Sequence, residues 1–278
     1  MEVVSASYLL RQQFRYEYPG PIERLQHRLV VAPPALYGDQ RRTEHRLIVS
    51  PDVPARWDHD VFGNLVVLIE ADRVDHAIQL DYQASIARSA GPGPEIGSAW
   101  SHDRRFLTPS TLTVPDRALR EAAYDIVASD DCCGTQAEHI SSFVFRHMQY
   151  VSGVTSVETT AAQAFAQGTG VCQDYAHIMI ALCRLSGIPA RYVSGHLLGE
   201  GGTHAWVEVI EPGPDGRTLR IAGFDPTHDR RTTLSYVFVA SGRDYADVAP
   251  TSGRFVAPYI GTFTTSRCVD VVEVRYAA

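Results

Sequence analysis

The sequence predicts an α+β protein in which a β-rich region, residues 1–90, precedes a region of helices followed by strands, residues 91–278. Two observations support this fold class. The first region consists of short runs rich in Val, Leu, Ile, Tyr and Phe, separated by turn signals made of Pro, Gly, Asn and Asp. The second region begins with helical periodicity and returns to extended patterns. Residues 89–94 (SAGPGP) are small or break regular structure, and we place the domain boundary there.

The first region contains segments that alternate or cluster apolar residues in the manner of strands. Short strands joined by turns are typical of a β-sandwich or an open barrel, so we expect a small N-terminal β-sandwich-like domain. The predicted strands cover residues 8–18, 27–32, 45–50, 65–70 and 78–87.

The second region begins with four predicted helices. Pro115 suits the first turn of a helix, and Leu119 and Ile126 belong to a set of apolar residues at helical spacing after it. The fourth helix ends at residues 186–189 (SGIP), where a glycine is followed closely by a proline. The helices cover residues 115–128, 137–148, 160–166 and 172–185, and the strands after them cover residues 190–198, 203–210, 218–224 and 268–276.

Composition and charge limit the kinds of molecule that we expect the protein to bind. The 278 residues carry a formal net charge of −7, so there is no electrostatic reason to expect nucleic acid or an anionic membrane as a partner. The N-terminus has no basic segment followed by a long apolar run, and the longest apolar runs, such as residues 65–69, are far shorter than a transmembrane helix. We therefore expect a cytoplasmic protein. The five cysteines are too few for a disulfide framework, and the oligomeric state stays open.

Cys172 lies at the predicted start of the fourth helix, just after the glycine-containing turn 168–170. Unpaired backbone N–H groups and the positive end of the helix dipole favour the thiolate, which is the nucleophilic form of cysteine. The same N–H groups are suited to hold an oxyanion. The alternative interpretation is a small buried residue, which is the usual environment of a free cysteine.

Cys183 lies on the same helical face as Cys172 but about 16 Å further along the axis. We interpret Cys183 as a structural residue of the core. Two cysteines this far apart are unable to bind one zinc ion at about 2.3 Å, so we expect no metal site there.

His204 and Asp225 are the candidate partners of Cys172. His204 begins a predicted strand after a glycine-rich turn, and Asp225 ends the next strand because Pro226 follows it. A nucleophile at a helix start, a base on one strand and a carboxylate on the next form a nucleophile–base–orienter arrangement. Each residue by itself is weak evidence, since a lone histidine is usually a surface or core residue and an aspartate before proline is usually a turn residue.

Several segments, which follow one another in the order typical of the family, resemble the bacterial branch of the transglutaminase-like superfamily. Together they extend over nearly the whole chain. The core segments are residues 170–177 (GVCQDYAH), 187–195 (GIPARYVSG), 204–209 (HAWVEV) and 224–227 (FDPT). Segments similar to the rest of this branch are residues 16–22 (YEYPGPI), 60–64 (DVFGN) and 242–250 (GRDYADVAP).

The resemblance implies a papain-like cysteine proteinase (transglutaminase-like) core behind the small β domain. It implies Cys172 as the nucleophile, His204 as general base and then acid, and Asp225 as the residue that orients the imidazole. The implied reaction is attack on a carboxamide or peptide carbonyl of a protein or peptide substrate, with ammonia or an amine leaving and a thioester forming. An amine or water then takes the acyl group. Acyltransferase and cysteine peptidase or amidohydrolase both stay open. A non-catalytic binding module that retains the fold is the alternative from another class.

The resemblance leaves the second oxyanion donor unidentified. Calcium-dependent animal transglutaminases have a tryptophan upstream of the nucleophile, and this sequence has none near Cys172. Tyr150 and Gln167 are the candidates for this role. Gln173 is interpreted as a rim or helix-packing residue, and Trp206 as a wall of the site or a core residue. No calcium-binding loop pattern is present in the sequence, so we expect no metal and no cofactor.

The remaining candidate residues are weaker indications of a catalytic or binding role. His177 lies about 140° around the helix from Cys172 and is a poor base. His196 and His228 are predicted to be rim residues only. The adjacent Cys132 and Cys133 have two interpretations, a redox or metal site and a loop without a role.

Overall fold

A computed structural model describes residues 3–91, 94, 103–128, 135–212 and 219–277 of the protein. Part of the predicted boundary stretch, residues 92–93, lies outside the described residues. Cys132 and Cys133 also lie outside them, so the structure does not bear on their two interpretations.

The N-terminal strands form two antiparallel sheets, and their side chains alternate between buried and exposed positions as expected for sheets with one covered face. Leu10, Phe14, Leu29 and Leu80 are fully buried in the shared core. The predicted β-sandwich-like domain is therefore confirmed. The strands are β1 (Val3–Glu17), β2 (Ile22–Ala32), β3 (Leu36–Tyr37), β4 (Gln40–Ser50), β5 (Ala55–His59), β6 (Leu65–Val74) and β7 (Ala77–Ser89).

The C-terminal strands β15 (Thr251–Val256) and β16 (Thr262–Tyr276) pair with the N-terminal sheets. β16 runs antiparallel along β1, and β15 pairs with β2. The sequence analysis placed the tail, residues 268–276, in the second region, whereas in the structure this segment pairs with strand β1. The physical reason is that β1 and β2 would otherwise present long unpaired edges, which the returning chain covers. The division of the chain at residue 90 stays a proposal.

The core combines helices with a five-stranded antiparallel sheet whose strand order is β13-β12-β11-β10-β14. Residues 149–150 and 169–170 add a short parallel pair, β8 and β9. The helices are α1 (Arg117–Ala128), α2 (Gln136–His147), α3 (Ala161–Gln167), α4 (Cys172–Leu185) and α5 (Tyr245–Val248). The strands are β8 (Gln149–Tyr150), β9 (Thr169–Gly170), β10 (Ala190–Leu197), β11 (His204–Pro212), β12 (Leu219–Asp225), β13 (Arg230–Arg231) and β14 (Tyr236–Gly242).

Helix α4 is the central element of the core, and it is buried along nearly its whole length. Apolar residues on all of its faces are typical of a helix enclosed by other elements. The helix begins after Val171, whose backbone N–H donates to Oδ2 of Asp174 at 2.8 Å. At its far end, Gly187 adopts the left-handed conformation (φ 74°) that ends a helix without steric cost. The combination of helices and sheet confirms the predicted α+β fold class.

Strand β14 was not predicted from the sequence, and amide side chains of the N-terminal region satisfy its outer edge. The side chain of Asn64 exchanges two hydrogen bonds with the backbone of Ser241, at 2.8 and 2.9 Å. Gln40 makes the same pair of contacts with Phe238. Both amides are buried, so the edge of the core sheet is closed by residues of the preceding region.

No helix among the described residues has both the length and the apolar character that crossing a bilayer requires.

Candidate active site

The ends of two neighbouring strands bring His204 and Asp225 together. His204 is the first residue of β11 and Asp225 is the last residue of β12, and the two strands run antiparallel with Val207 opposite Phe224. Nε2 of His204 lies 2.8 Å from Oδ2 of Asp225. Both side chains are almost completely buried, so this contact is shielded from solvent.

The carboxylate of Asp225 accepts hydrogen bonds from several directions. Oδ2 lies 2.8 Å from Nδ1 of His228 and 2.6 Å from the hydroxyl of Tyr236, and Oδ1 accepts from the backbone N–H of Thr227 at 2.9 Å. Burial by itself raises the pKa of Asp225. The hydrogen bonds and positive charge of His204, followed by the hydrogen bonds from Tyr236 and His228, outweigh burial and hold this pKa well below its usual range. Asp225 is therefore ionised at neutral pH.

The imidazole of His204 is strongly biased towards its protonated form. Burial lowers its pKa, but the hydrogen bonds to Asp225 and Cys172, together with the negative charges of both residues, raise the pKa to about 10. The side chain of Cys172 is thus one of the groups that stabilise the imidazolium. The imidazole of His204 is thus electrostatically coupled to the side chain of Cys172.

Cys172 is the first residue of α4 and has a half-buried free thiol. The backbone N–H groups at the start of an α-helix have no intrahelical acceptor. Asp174 accepts hydrogen bonds from the N–H of Val171 and from the hydroxyl of Thr155 at 2.7 Å, which holds the turn before the helix in place. The side chain of Cys172 at this first turn interacts with His204.

Of the two candidates for the second oxyanion donor, Tyr150 is electrostatically coupled to Cys172. Burial and then the negative charges of Cys172 and Glu200 raise the pKa of Tyr150, which therefore lies close to both residues. Tyr150 is the second residue of β8 and pairs with Gly170 of β9. The side-chain amide of Gln167 instead donates to the hydroxyl of Thr169 at 2.9 Å.

The predicted rim residues have different environments. Gln173 is buried and its amide donates to the carbonyl of Ser156 at 3.3 Å, which supports the helix-packing interpretation. Trp206 is 2% exposed and packs edge-on against Tyr236, with ring centroids 5.5 Å apart. Its ring centroid is also 6.4 Å from that of His204. Trp206 is thus a core residue that lies beside the ring of His204.

The remaining histidines differ from one another. His177 is fully buried, and its Nε2 accepts from the backbone N–H of Tyr245 at 3.2 Å. His196 is buried rather than at the rim, and its Nδ1 lies 2.9 Å from the carbonyl oxygen of Gly202. His228 is partly exposed and contacts Asp225, so it belongs to the hydrogen-bond network around that carboxylate.

Sequence reasoning missed Glu200 and Tyr236. Oε2 of Glu200 lies 3.0 Å from Nδ1 of His204, and Oε1 lies 3.2 Å from Nε2 of His228. Glu200 precedes His204 by four residues within the turn between β10 and β11. The short separation of Glu200 from His204 was a weak indication in the sequence that Glu200 lies near the site. Tyr236 had no such indication, because its strand has no distinctive sequence pattern.

Among the described residues, His204, Asp225 and His228 also form a group with the chemistry of metal ligands. Their ligand atoms lie within 4.8 Å of one another. Two imidazoles and a carboxylate suit zinc. Here both imidazoles contact the same carboxylate oxygen, so a metal ion would have to replace these hydrogen bonds.

Two family models match the chain. The model of the transglutaminase-like superfamily matches residues 120–216, which include Cys172 and His204. The model of the bacterial transglutaminase-like N-terminal region matches residues 8–87, which include strands β2 to β6 and most of β1 and β7.

Relatives in mycobacteria match over part of their length. An uncharacterized protein of Mycobacterium tuberculosis (strain H37Rv) is 35% identical over 171 residues, which are 58% of this chain and 48% of that protein. An uncharacterized protein of Mycobacterium leprae is 40% identical over 118 residues, which are 39% of this chain and 40% of that protein. The matches therefore span about half or less of the length of these relatives.

A solved structure shares the fold. The crystal structure of a candidate cysteine protease from Cytophaga hutchinsonii superimposes with a TM-score of 0.78 and 23% identity, over 98% of this chain and 93% of that chain. At this identity the likeness establishes the fold alone. The two family models by themselves show that residues 120–216 belong to the transglutaminase-like superfamily and residues 8–87 to its bacterial N-terminal region.

Proposed function

We propose that the protein is an enzyme that transfers acyl groups from carboxamides or peptide bonds through a thioester on Cys172, with His204 and Asp225 completing the triad. The observation that carries this proposal is the buried 2.8 Å contact between His204 and Asp225, on an imidazole whose protonated form Cys172 also stabilises. The coarser statement, a thiol-dependent catalytic family, follows from the superfamily membership.

In the first half-reaction, the thiolate of Cys172 attacks the carbonyl carbon, and the negative charge moves to the carbonyl oxygen. The N–H groups at the start of α4 are suited to hold this oxyanion, with the hydroxyl of Tyr150 as a second donor. His204 then donates its proton to the leaving ammonia or amine. The products are a thioester on Cys172 and a neutral imidazole that is still held by Asp225.

In the second half-reaction, an amine or water attacks the thioester, and His204 accepts a proton from this nucleophile. The bond between the acyl carbon and sulfur breaks, which restores the thiolate–imidazolium pair. A transferase and a hydrolase differ only in which nucleophile reaches the acyl carbon. The proposed substrates are proteins or peptides.

The rate of alkylation of Cys172 tests the proposal. At neutral pH, iodoacetamide should label Cys172 at least about tenfold faster than half-buried Cys268, and His204→Ala should remove this difference. Peptide mapping by mass spectrometry resolves each cysteine. Equal labelling rates at Cys172 and Cys268 would contradict the proposal.

A screen of amine incorporation against peptide and amide hydrolysis then identifies the reaction, with Cys172→Ala as the blank. Turnover that persists in this variant would also contradict the proposal, because the acyl group would then not pass through the thiol. A reactive thiol without turnover on any substrate in the screen would favour a binding module.

A further inference from the structure

His204 and His228 share one hydrogen-bond partner and direct their other ring nitrogens elsewhere. Nε2 of His204 and Nδ1 of His228 each lie 2.8 Å from Oδ2 of Asp225. The two ring centroids are 5.5 Å apart. Each imidazole therefore has a second nitrogen, Nδ1 of His204 and Nε2 of His228, that faces a different part of the site.

The carboxylate of Glu200 bridges these two outer nitrogens. Its Oε2 lies 3.0 Å from Nδ1 of His204, and its Oε1 lies 3.2 Å from Nε2 of His228. A tetrahedral zinc ion with bonds of about 2.0–2.1 Å separates its ligand atoms by about 3.3 Å. The carboxylate and the two nitrogens are therefore spaced nearly as in a zinc coordination shell.

Cys172 adds a sulfur to this group of potential ligands. Its side chain makes a hydrogen bond with His204, and Nδ1 is the ring nitrogen that remains for it because Nε2 contacts Asp225. The charges of Cys172 and Glu200 also act together on Tyr150. A thiol and a carboxylate thus approach one nitrogen that carries at most one proton. Sulfur and imidazole ligands favour zinc over magnesium or calcium.

Asp225 lies where zinc sites usually have a supporting carboxylate. A histidine that binds a metal commonly donates its other ring N–H to such a group, which fixes the tautomer and the ring orientation. An ion at the outer nitrogens of His204 and His228 would leave both hydrogen bonds to Asp225 in place. An ion placed between the two rings and Asp225 would break them. The outer position is therefore the favourable one.

The outer position is also accessible from solvent. The side chains of Glu200 and His228 are 41% and 34% exposed, and the thiol of Cys172 is half-buried. The backbone of the turn is anchored, because the N–H of Glu200 donates to the carbonyl of Leu197 at 3.1 Å. An ion can thus reach these side chains without opening the core.

We infer that the mouth of the site binds one zinc ion or a similar divalent transition-metal ion. The ligands are one side-chain atom from each of Cys172, His204, Glu200 and His228. Metal–ligand bonds form, the proton shared by the thiol and Nδ1 of His204 passes to solvent, and no electron is transferred. The expectation of no metal came from local sequence patterns, whereas these ligands come from three separate segments of the chain.

The bound ion would act as a reversible inhibitor. It would occupy the sulfur of Cys172 and the ring nitrogen of His204 that exchanges protons with the substrate, so neither group could react until the ion leaves. This consequence for catalysis rests on the proposed function, whereas metal binding by itself does not.

Zinc binding to the metal-free protein tests the site. Competition with a chromogenic zinc chelator should give one ion per chain, and His228→Ala and Glu200→Gln should each weaken the affinity by at least about tenfold. The matched controls are His59→Ala and Glu158→Gln, which change exposed residues elsewhere and should bind zinc like the wild type. Wild-type affinity in both His228→Ala and Glu200→Gln would overturn the inference.

A second measurement uses the wild-type protein, so it does not depend on the folding of a variant. Saturating zinc should slow the alkylation of Cys172 by iodoacetamide at least about tenfold and change that of Cys268 by less than about twofold. Magnesium should have no effect, and a chelator should restore the original rate. Rapid labelling of Cys172 that zinc does not slow would contradict the metal site. Slow labelling of Cys172 without zinc is the separate result that contradicts the proposed function.

Discussion

The hydroxyl of Tyr236 donates a 2.6 Å hydrogen bond to Oδ2 of Asp225, the same oxygen that contacts His204. Tyr236 begins β14, which lies three positions away from β12 in the sheet order. Nε of Arg230 donates in turn to the tyrosine hydroxyl at 2.8 Å. The orientation of the Asp225 carboxylate therefore depends on a residue from the opposite edge of the sheet.

Tyr236→Phe should destabilise the protein by about 2 kcal/mol, because a buried carboxylate loses a charge-assisted hydrogen bond. The free energy of unfolding in urea measures this change. Tyr124→Phe, at a position that is 75% exposed, is the control and should change stability by less than about 0.5 kcal/mol. Equal stability of Tyr236→Phe and the wild type would mean that the hydrogen bond contributes little.

Asp225→Asn should reduce turnover by about 100-fold or more, because the imidazole loses both its orienting acceptor and the charge that favours its protonated form. The pKa of His204 should fall below its wild-type value of about 10. A pH titration of Cys172 alkylation and an NMR titration of His204 measure both effects. The control is Asp229→Asn in the same turn. Exposed Asp229 accepts a hydrogen bond from Ser142, so this variant should behave like the wild type. An unchanged pKa of His204 in Asp225→Asn would contradict the assigned role.

Stability should decline as the pH rises from about 6.5 to about 10. The pKa of His204 is raised in the folded state, so its contribution is fully present below the ordinary pKa of 6.5 and is lost as the pH passes the folded value of about 10. The expected loss is roughly 3 kcal/mol after allowance for solvent screening. Urea unfolding across this range measures it. His204→Gln should remove most of the decline, whereas replacement of exposed His59 by Gln should leave it unchanged.

At acid pH, the contribution of Asp225 to stability changes with pH in the opposite direction. Its folded pKa lies below the ordinary value of 3.8, so its contribution is present above that value and is lost as the pH falls through the folded pKa. Asp225→Asn should therefore lose less stability than the wild type when the pH is lowered below 3.8. A parallel acid dependence in the two proteins would contradict this assignment.

Gly170→Ala should destabilise the protein by about 2 kcal/mol and slow the alkylation of Cys172. A Cβ atom at this position would lie 2.5 Å from Oδ2 of Asp174, the oxygen that holds the turn before α4. Urea unfolding and alkylation rates measure the two effects. Gly201→Ala is the control, because a Cβ there meets no atom within 4 Å. Wild-type alkylation in Gly170→Ala would show that the turn does not position the thiol.

Local features of the sequence were sufficient to predict helix α4 and the position of Cys172 at its start. The glycine turn before the helix, the apolar pattern along it and the glycine before Pro189 are all signals between near neighbours in the chain. His204 and Asp225 were placed at strand ends for the same reason. Their pairing into one site relied on the resemblance to a family, because periodicity alone does not state which strands are adjacent.

Only the tertiary structure decided which residues surround this triad. The contacts of Tyr236 with Asp225 and of Glu200 with two histidines depend on strand order and turn geometry, which bring distant side chains together without a local pattern. The pairing of β16 with β1 is of the same kind, since it joins the two ends of the chain. Short-range periodicity determines which segments become helices and strands. Long-range pairing, driven by the burial of apolar faces and the satisfaction of strand edges, determines which of their side chains meet.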